Sequence, residues 1–512
     1  MTTATATSND YAQLLDHLKQ ASLLGSTAAI LGWDQETLMP AKGLAHRTRQ
    51  LAQLARMNHQ MKTDPHVGEW LNACESGSGS TADPLGVEAV NLREWRREYD
   101  KATKLPEALV VEIAQTTSQA KHEWAEARKA NDYARFKPWL QKVIDLNLQK
   151  ARCFGWDAAG GGEPWDALAD HFEAGMTAAS VAEVFTPLRA RLVALLDDIL
   201  GSKTGPSNTF NEIKLPIEQQ KAFVKYVSEA IGFDYERGRL DESTHPFCSG
   251  THCNDVRMTT RFHEDNVNDA LGSTMHESGH GIYEQGLPEQ HLGTPMGQAV
   301  GLSIHESQSR MWENQVGRSR AFWRWCYPKL GEFFGEATAG LSEDDIFGGA
   351  NRVSPGLIRV EADEATYNLH IMIRFEIERL LMKQELSVDD LPEAWNSKYA
   401  EYLKVDVPDD RRGCMQDIHW SMGAIGYFPT YTMGNLYAAQ FFEQAAEQLG
   451  DLDAMFVRGQ FTPLREWLNE KIHAHGRRYR SDELVEVVTG KPLSADPLLR
   501  HLEGKLRPLY GV

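Results

Sequence analysis

The chain has 512 residues, a net charge of −19 and six cysteines. That length fits several ordinary domains or one large helical body, and the acidic balance argues against nucleic acid or an anionic membrane surface as a partner, since both need a basic face. No apolar run reaches the roughly 20 residues that cross a bilayer, and the opening Met1-Thr2-Thr3-Ala4 stretch has no basic segment leading into an apolar core, so a cytoplasmic protein is expected.

From Asp10 to about Cys74 apolar residues recur at three and four (Tyr11, Leu14, Leu15, Leu18, then Leu51, Leu54, Met57), which is helical periodicity. Pro40 ends one helix there, and Arg47 and Arg49 are expected on the exposed face of the next. Glu75-Ser76-Gly77-Ser78-Gly79-Ser80 reads as a surface loop. Long charged helices studded with Trp95, Tyr99, Trp124 and Trp139 follow, with Pro106 and Pro138 placed at helix starts. Gly160-Gly161-Gly162 breaks this pattern. Further helices are expected from about Thr177 to Leu200 and from Pro216 to Ile231.

One region reads as strand. Asp255 to Phe262 alternates branched or apolar residues with polar ones, and such a strand is either the edge that holds an extended peptide or a small structural hairpin. The nearby Cys248, His252 and Cys253 lack the four ligands and paired Cys-x-x-Cys spacing of a closed zinc site. The cysteines as a set are sparse, which predicts reduced, mostly buried thiols.

Next comes Met275-His276-Glu277-Ser278-Gly279-His280-Gly281. On a helix, a spacing of four returns to nearly the same azimuth one turn along, so His276 and His280 can address one metal ion while Glu277 falls to the side, within reach of a water there. The alternative is a pair of buried, hydrogen-bonded core histidines, but with 18 His in the chain a chance His-Glu-x-x-His is expected well under once. Asn268 or Asp269 is the expected N-cap, and Gly286 with Pro288 the stop. Gly279 weakens the helix by roughly 1 kcal/mol relative to Ala, which implies a close-packing reason for it. Glu306, on the helix that begins near Leu302, suits a third ligand and would leave a fourth position open, as in catalytic sites. Glu284 and Glu313 are the nearest acidic alternatives. From Gly356 onward the reading is helical again, interrupted by Gly413 to Trp420 and by the aromatic run Gly426 to Tyr431.

Several of these stretches, in order, resemble the signature blocks of the carboxypeptidase Taq family of metallocarboxypeptidases (peptidase family M32). They are His245-Pro246-Phe247, Asp255-Val256-Arg257-Met258-Thr259, His276-Glu277-Ser278-Gly279-His280, His305-Glu306-Ser307-Gln308, Ile358-Arg359-Val360-Glu361-Ala362-Asp363 and Gly413-Cys414-Met415-Gln416-Asp417-Ile418-His419-Trp420. With the similar Trp33-Asp34 to Met39-Pro40 stretch, the resemblance covers essentially the whole chain. It implies a mostly α-helical catalytic domain over residues 1–512, two helical lobes flanking a deep groove, with a small β-sheet beside the zinc helix, similar to neurolysin and angiotensin-converting-enzyme peptidases. It also implies a homodimer that removes single residues from peptide C-termini with broad specificity. By the same resemblance His276, His280 and Glu306 hold zinc, or cobalt in its place; Glu277 is the general base; and Arg359 binds the terminal carboxylate, with His245, Arg257 and Tyr431 also on the substrate side.

An oxyanion in such a site needs a second electrophile beside the metal, and His419, Tyr427 and Tyr431 are the candidates, Tyr427 foremost by similarity to the related oligopeptidases. Two other readings share these residues. An oligopeptidase or dipeptidyl carboxypeptidase would need the zinc machinery without a terminal-carboxylate arginine, and a non-catalytic helical peptide-binding protein would have no use for Glu277.

Overall fold

The computed structural model describes residues 2–76 and 83–512, so the Gly77–Ser80 part of the expected loop lies outside the described residues. The chain forms two compact units, each drawn from three segments. One comprises Met1–Thr103, Asn208–Ala350 and Phe441–Pro492; the other comprises Lys104–Ser207, Asn351–Gln440 and Leu493–Val512.

In the first unit the apolar stripe of helix Thr2–Thr37 is buried as its periodicity predicts. Leu14 and Leu18 enter a core with Val67, Leu71, Cys74, Leu92 and Trp95, and Tyr11 and Leu15 pack against it. Helix Leu44–Lys62 forms where its pattern places it but buries no residue. Arg47 is not on the open face expected of it: its guanidinium turns inward to the Asp34 carboxylate at 2.6 Å.

The strand-like stretch is β3 (Asp255–Thr260), and it has company: β1 (Gly238–Glu242) and β2 (Cys248–His252) give a three-stranded sheet of order β1-β3-β2. β1 runs parallel to β3 with Gly238 opposite Val256. β2 runs antiparallel with Cys248 opposite Met258 and a bulge between Gly250 and His252. β3 is therefore central, with neighbours on both sides, and cannot be the edge on which a peptide adds. The edges are β1 and β2, whose polar, half-exposed sequences carry no alternation strong enough to read as strand. Val256 and Met258 are fully buried under helix Val267–Gly286, where the Ser278 hydroxyl meets the Met258 sulfur at 3.6 Å.

In the second unit helix Glu107–Ala130 starts after Pro106 as expected. Pro138, by contrast, lies inside helix Tyr133–Phe154, which starts at Asp132, whose side chain accepts the Arg135 N–H. Helix Tyr367–Met382 is buried over most of its length. It carries Glu378, whose carboxylate gathers the indole N–H groups of Trp165 and Trp420 and the N–H of Gly426 at 2.9–3.0 Å, tying down the aromatic run that follows. No helix among the described residues is long and apolar enough to cross a membrane. None of the cysteines is bridged to another.

Candidate functional site

Helix Val267–Gly286 is capped by Asn266, whose side chain accepts the Asp269 N–H at 3.1 Å. The expected caps are engaged elsewhere: Asp269 pairs with Arg261 at 2.7 and 2.9 Å, and Asn268 hydrogen-bonds Asn211. The reason for Gly279 is plain. A Cβ there would lie 2.5 Å from the Gln308 carbonyl oxygen and 2.6 Å from Ser309 Cα, because helix Leu302–Arg310 crosses against it. Backbone against backbone cannot yield as a side-chain tip would. Gly279→Ala is expected to lower stability by about 1–3 kcal/mol and to weaken metal binding by pushing Glu306 outward. Thermal melting and a metal titration of the folded variant check both.

That crossing brings the three expected ligands together. Glu306 Oε2 stands 3.8 Å from His276 Nε2 and 3.6 Å from His280 Nε2, and the three donor atoms lie within 4.8 Å of one another. Donors roughly 2.0–2.2 Å from one ion stand about 3.3–3.6 Å apart in a tetrahedron, so small side-chain adjustments complete the set. The other nitrogen of His276, Nδ1, meets Glu313 Oε2 at 2.9 Å, and Glu313 is braced by Arg310 at 3.1 Å and Arg318 at 3.4 Å. Arg310 also donates to Glu306 Oε1 at 2.7 Å, which leaves Oε2 facing the imidazoles. Glu284 and Glu313, the acidic alternatives to Glu306, thus serve other partners: Glu284 accepts from His305 at 2.7 Å. Their signal was in the spacing, since Glu284 lies four residues after His280 and Glu313 seven after Glu306, but only as face-sharing residues. The π-helical turn Met311–Val316 that aims Glu313 has no sequence mark we can identify.

Burial sets the electrostatics of this group. It pushes the Glu277 carboxyl up to about 7, with Glu306 and Glu313 adding to the rise against His276 and His305. It would push Glu313 up as well, but Arg310, His276 and Arg318 prevail and hold it down to about 2. The same burial, together with His305, keeps His280 neutral. For His276 burial is outweighed by Glu306 and Glu313, which raise its pKa. Glu277 is 5% exposed and makes no hydrogen bond among the described residues, so its oxygens are uncommitted. Two neutral-capable imidazoles and a carboxylate with their lone pairs converging, beside an uncommitted carboxylate, are a donor set that fits a divalent cation with an open position.

A second group, His252, Cys253 and Glu289, also has its side-chain donors within 4.8 Å, without Cys248. Here His252 Nδ1 accepts the Asn254 N–H at 3.0 Å, which puts the ring proton on Nε2. Neither nitrogen then offers a lone pair, and the group reads as a braced hairpin turn.

The second unit gathers Arg359, His419, Tyr427 and Tyr431. The Arg359 guanidinium, almost wholly buried, bonds Asp417 at 2.9–3.0 Å and the Tyr367 hydroxyl at 3.3 Å and lies 5.2 Å from the Tyr431 ring. Asp417 also takes Arg374 at 2.6 Å, so two guanidinium groups share one carboxylate and the trio is cationic. Burial favours a neutral Asp417, but Arg374 and Arg359 override it and hold the group well below the usual carboxylate range. Arg359 and Asp363, four residues apart, would be neighbours on an α-helix but do not pair. The stretch is a short 3₁₀ turn rather than an α-helix, and Asp363 instead accepts the N–H groups of Ser354, Ala365 and Thr366. The His419 ring stands 5.4 Å from Tyr427 and 6.4 Å from Tyr431, and burial brings its pKa down to about 4, so it is neutral. Tyr427 and Tyr431 themselves contact edge to face at 5.3 Å. Of the remaining expected residues, His245 lies exposed in the bend between β1 and β2. Arg257 commits its guanidinium to Asp255 at 2.8 Å and to the face of Trp33 at 4.6 Å.

Comparison with known proteins finds relatives over nearly the whole chain. The sequence pattern described as carboxypeptidase Taq (M32) metallopeptidase matches residues 13–506. Thermostable carboxypeptidase 1 of Thermus thermophilus is 48% identical over 506 residues, covering 98% of this chain and 99% of its own. Carboxypeptidase 1 of Bacillus subtilis is 36% identical over 498 residues, 97% of this chain and 98% of its own. The crystal structure of the M32 carboxypeptidase from Deinococcus radiodurans R1 superposes with a TM-score of 0.94 at 41% identity, covering 98% of this chain and all of the other.

Proposed function

This chain belongs to the carboxypeptidase Taq (M32) metallopeptidase family, and from that premise we propose that it hydrolyses the last peptide bond of peptides carrying a free C-terminal carboxylate, releasing single amino acids with broad specificity. The observation that carries this reading is the convergence of His276, His280 and Glu306 with an uncommitted Glu277 beside them. We assign the ion as zinc, with cobalt as the alternative: nitrogen and carboxylate donors in this number suit either. When bound, the ion supplies Lewis acidity and makes a water nucleophilic near neutral pH.

Glu277 takes the proton of the attacking water and passes it to the leaving amine, a role suited to a carboxyl whose pKa sits near the working pH. His276 and His280 keep their lone pairs on one point because Glu313 and His305 occupy their second nitrogens. By the family resemblance Tyr427 and neutral His419 are assigned as hydrogen-bond donors for developing negative charge, with Tyr431 on the substrate side, and Arg359 as the receptor for the terminal carboxylate. His245 and Arg257 are assigned weaker, accessory roles along the peptide. We take both units as one catalytic domain, the protein as a homodimer, and its location as cytoplasmic. The family resemblance supports the first two, and the lack of a membrane-spanning helix among the described residues is compatible with the third.

The test is mass spectrometry of one peptide as free acid and as C-terminal amide after incubation with metal-loaded protein. Stepwise shortening of the acid alone is the expected result, and equal cleavage of both, or internal cuts, would overturn it. Arg359→Ala should narrow the acid-to-amide ratio by slowing the acid alone. A charge-assisted contact of about 1.5–3 kcal/mol corresponds to a roughly ten- to hundredfold fall in kcat/KM. Asp417 keeps Arg374 in that variant, so the carboxylate is not stranded and the protein should fold. An unchanged ratio would shift the search to Arg257, Arg352 or Arg411.

A further inference from the structure

The two imidazoles of the metal group are held differently. His276 leans directly on a carboxylate, whereas His280 leans on a second imidazole: its Nδ1 lies 2.6 Å from His305 Nδ1, and His305 Nε2 lies 2.7 Å from Glu284 Oε1. When His280 Nε2 keeps its lone pair for the metal, one arrangement of protons satisfies all three groups. His280 must then carry its proton on Nδ1 and donate it to the bare Nδ1 of His305, which carries its own proton on Nε2 and donates to Glu284. The far end of this chain is seated on the sheet. A Cβ at Gly250 of β2 would fall 2.3 Å from Glu284 Oε2 and 2.6 Å from its carboxyl carbon, so a bare glycine at this strand position is what makes room for the carboxylate.

We propose that His305 is a positioning residue that, with Glu284 behind it and Gly250 making room for it, fixes the tautomer and orientation of His280 and thereby sets how tightly the protein holds its metal. The proposal rests on the assignment of His276, His280 and Glu306 as the ligands. Outer hydrogen-bond partners of ligating imidazoles are commonly worth roughly 10–100-fold in metal affinity. The same interval is expected here, although the group in contact with His280 is an imidazole rather than a carboxylate.

The experiment is competition for Zn²⁺ between the protein and a chromophoric chelator, read alongside thermal melting of the metal-free forms. His305→Leu keeps the volume but removes the acceptor, and its Zn²⁺ Kd is expected to rise about 10–100-fold. His305→Asn places an amide oxygen near the position of Nδ1 and is expected to recover most of that loss. Gly250→Ala, on β2 rather than on a ligand-bearing helix, is expected to weaken Zn²⁺ in the same direction by driving Glu284 off His305, and it stands as the deciding variant if His305→Leu does not fold. Native Zn²⁺ affinity in folded His305→Leu or Gly250→Ala, or equal losses in His305→Leu and His305→Asn, would overturn the proposal. His280→Ala separates the two levels: full Zn²⁺ binding there would refute the ligand assignment itself.

Discussion

Glu277→Gln is expected to bind its metal as the native protein does and to lose turnover by roughly 10²–10⁴-fold, about 3–5 kcal/mol of transition-state stabilisation. The substitution leaves His276, His280 and Glu306 intact and nearly preserves shape, but an amide cannot take a proton from water. It should not cost stability. The native carboxyl is 5% exposed, forms no hydrogen bond among the described residues, and is held near neutrality by burial, so an uncharged group is no harder to bury there. Metal analysis beside a rate assay checks the claim, and a metal-loaded variant turning over near the native rate would end the general-base assignment.

Glu306→Ala and His280→Ala are expected to lose both metal and activity. Divided evenly over the four ligands of a structural site, the roughly 10–16 kcal/mol that such a zinc contributes to folding is about 2.5–4 kcal/mol per ligand, or some 10²–10³-fold in affinity, enough to empty the site during dialysis. The surroundings do not supply a replacement. Glu313 is committed to His276 and to Arg310 and Arg318, and Glu284 to His305. In Glu306→Ala, Arg310 also loses a carboxylate partner in a buried setting, so a modest drop in melting temperature should accompany the loss of metal. Full metal occupancy of dialysed Glu306→Ala would place the third ligand elsewhere.

The contrast between these residues and their supports marks what one dimension can carry. The sequence by itself determined helix Val267–Gly286, the facing of His276 and His280, the close approach implied by Gly279 and the strand character of Asp255–Thr260. Each is a matter of local period: 3.6 residues per helical turn, two per strand, or a residue whose small size has a nearby cause. The resemblance of ordered blocks added Glu306 and Arg359, which spacing alone leaves as one acidic and one basic residue among many.

Only the tertiary structure decided the partners. Arg359 lies with Asp417 rather than Asp363, Arg47 with Asp34 rather than with solvent, Glu313 against His276, and Glu284 against His305. It also gave β3 neighbours on both sides, because β1 and β2 are polar enough to be silent as sequence and pair through backbone groups that every residue shares. A hydrogen bond or ion pair joins whichever complementary groups the packing of the core brings within about 3 Å. That choice depends on the packing of distant segments, whereas amphipathic period depends only on residues a few places apart.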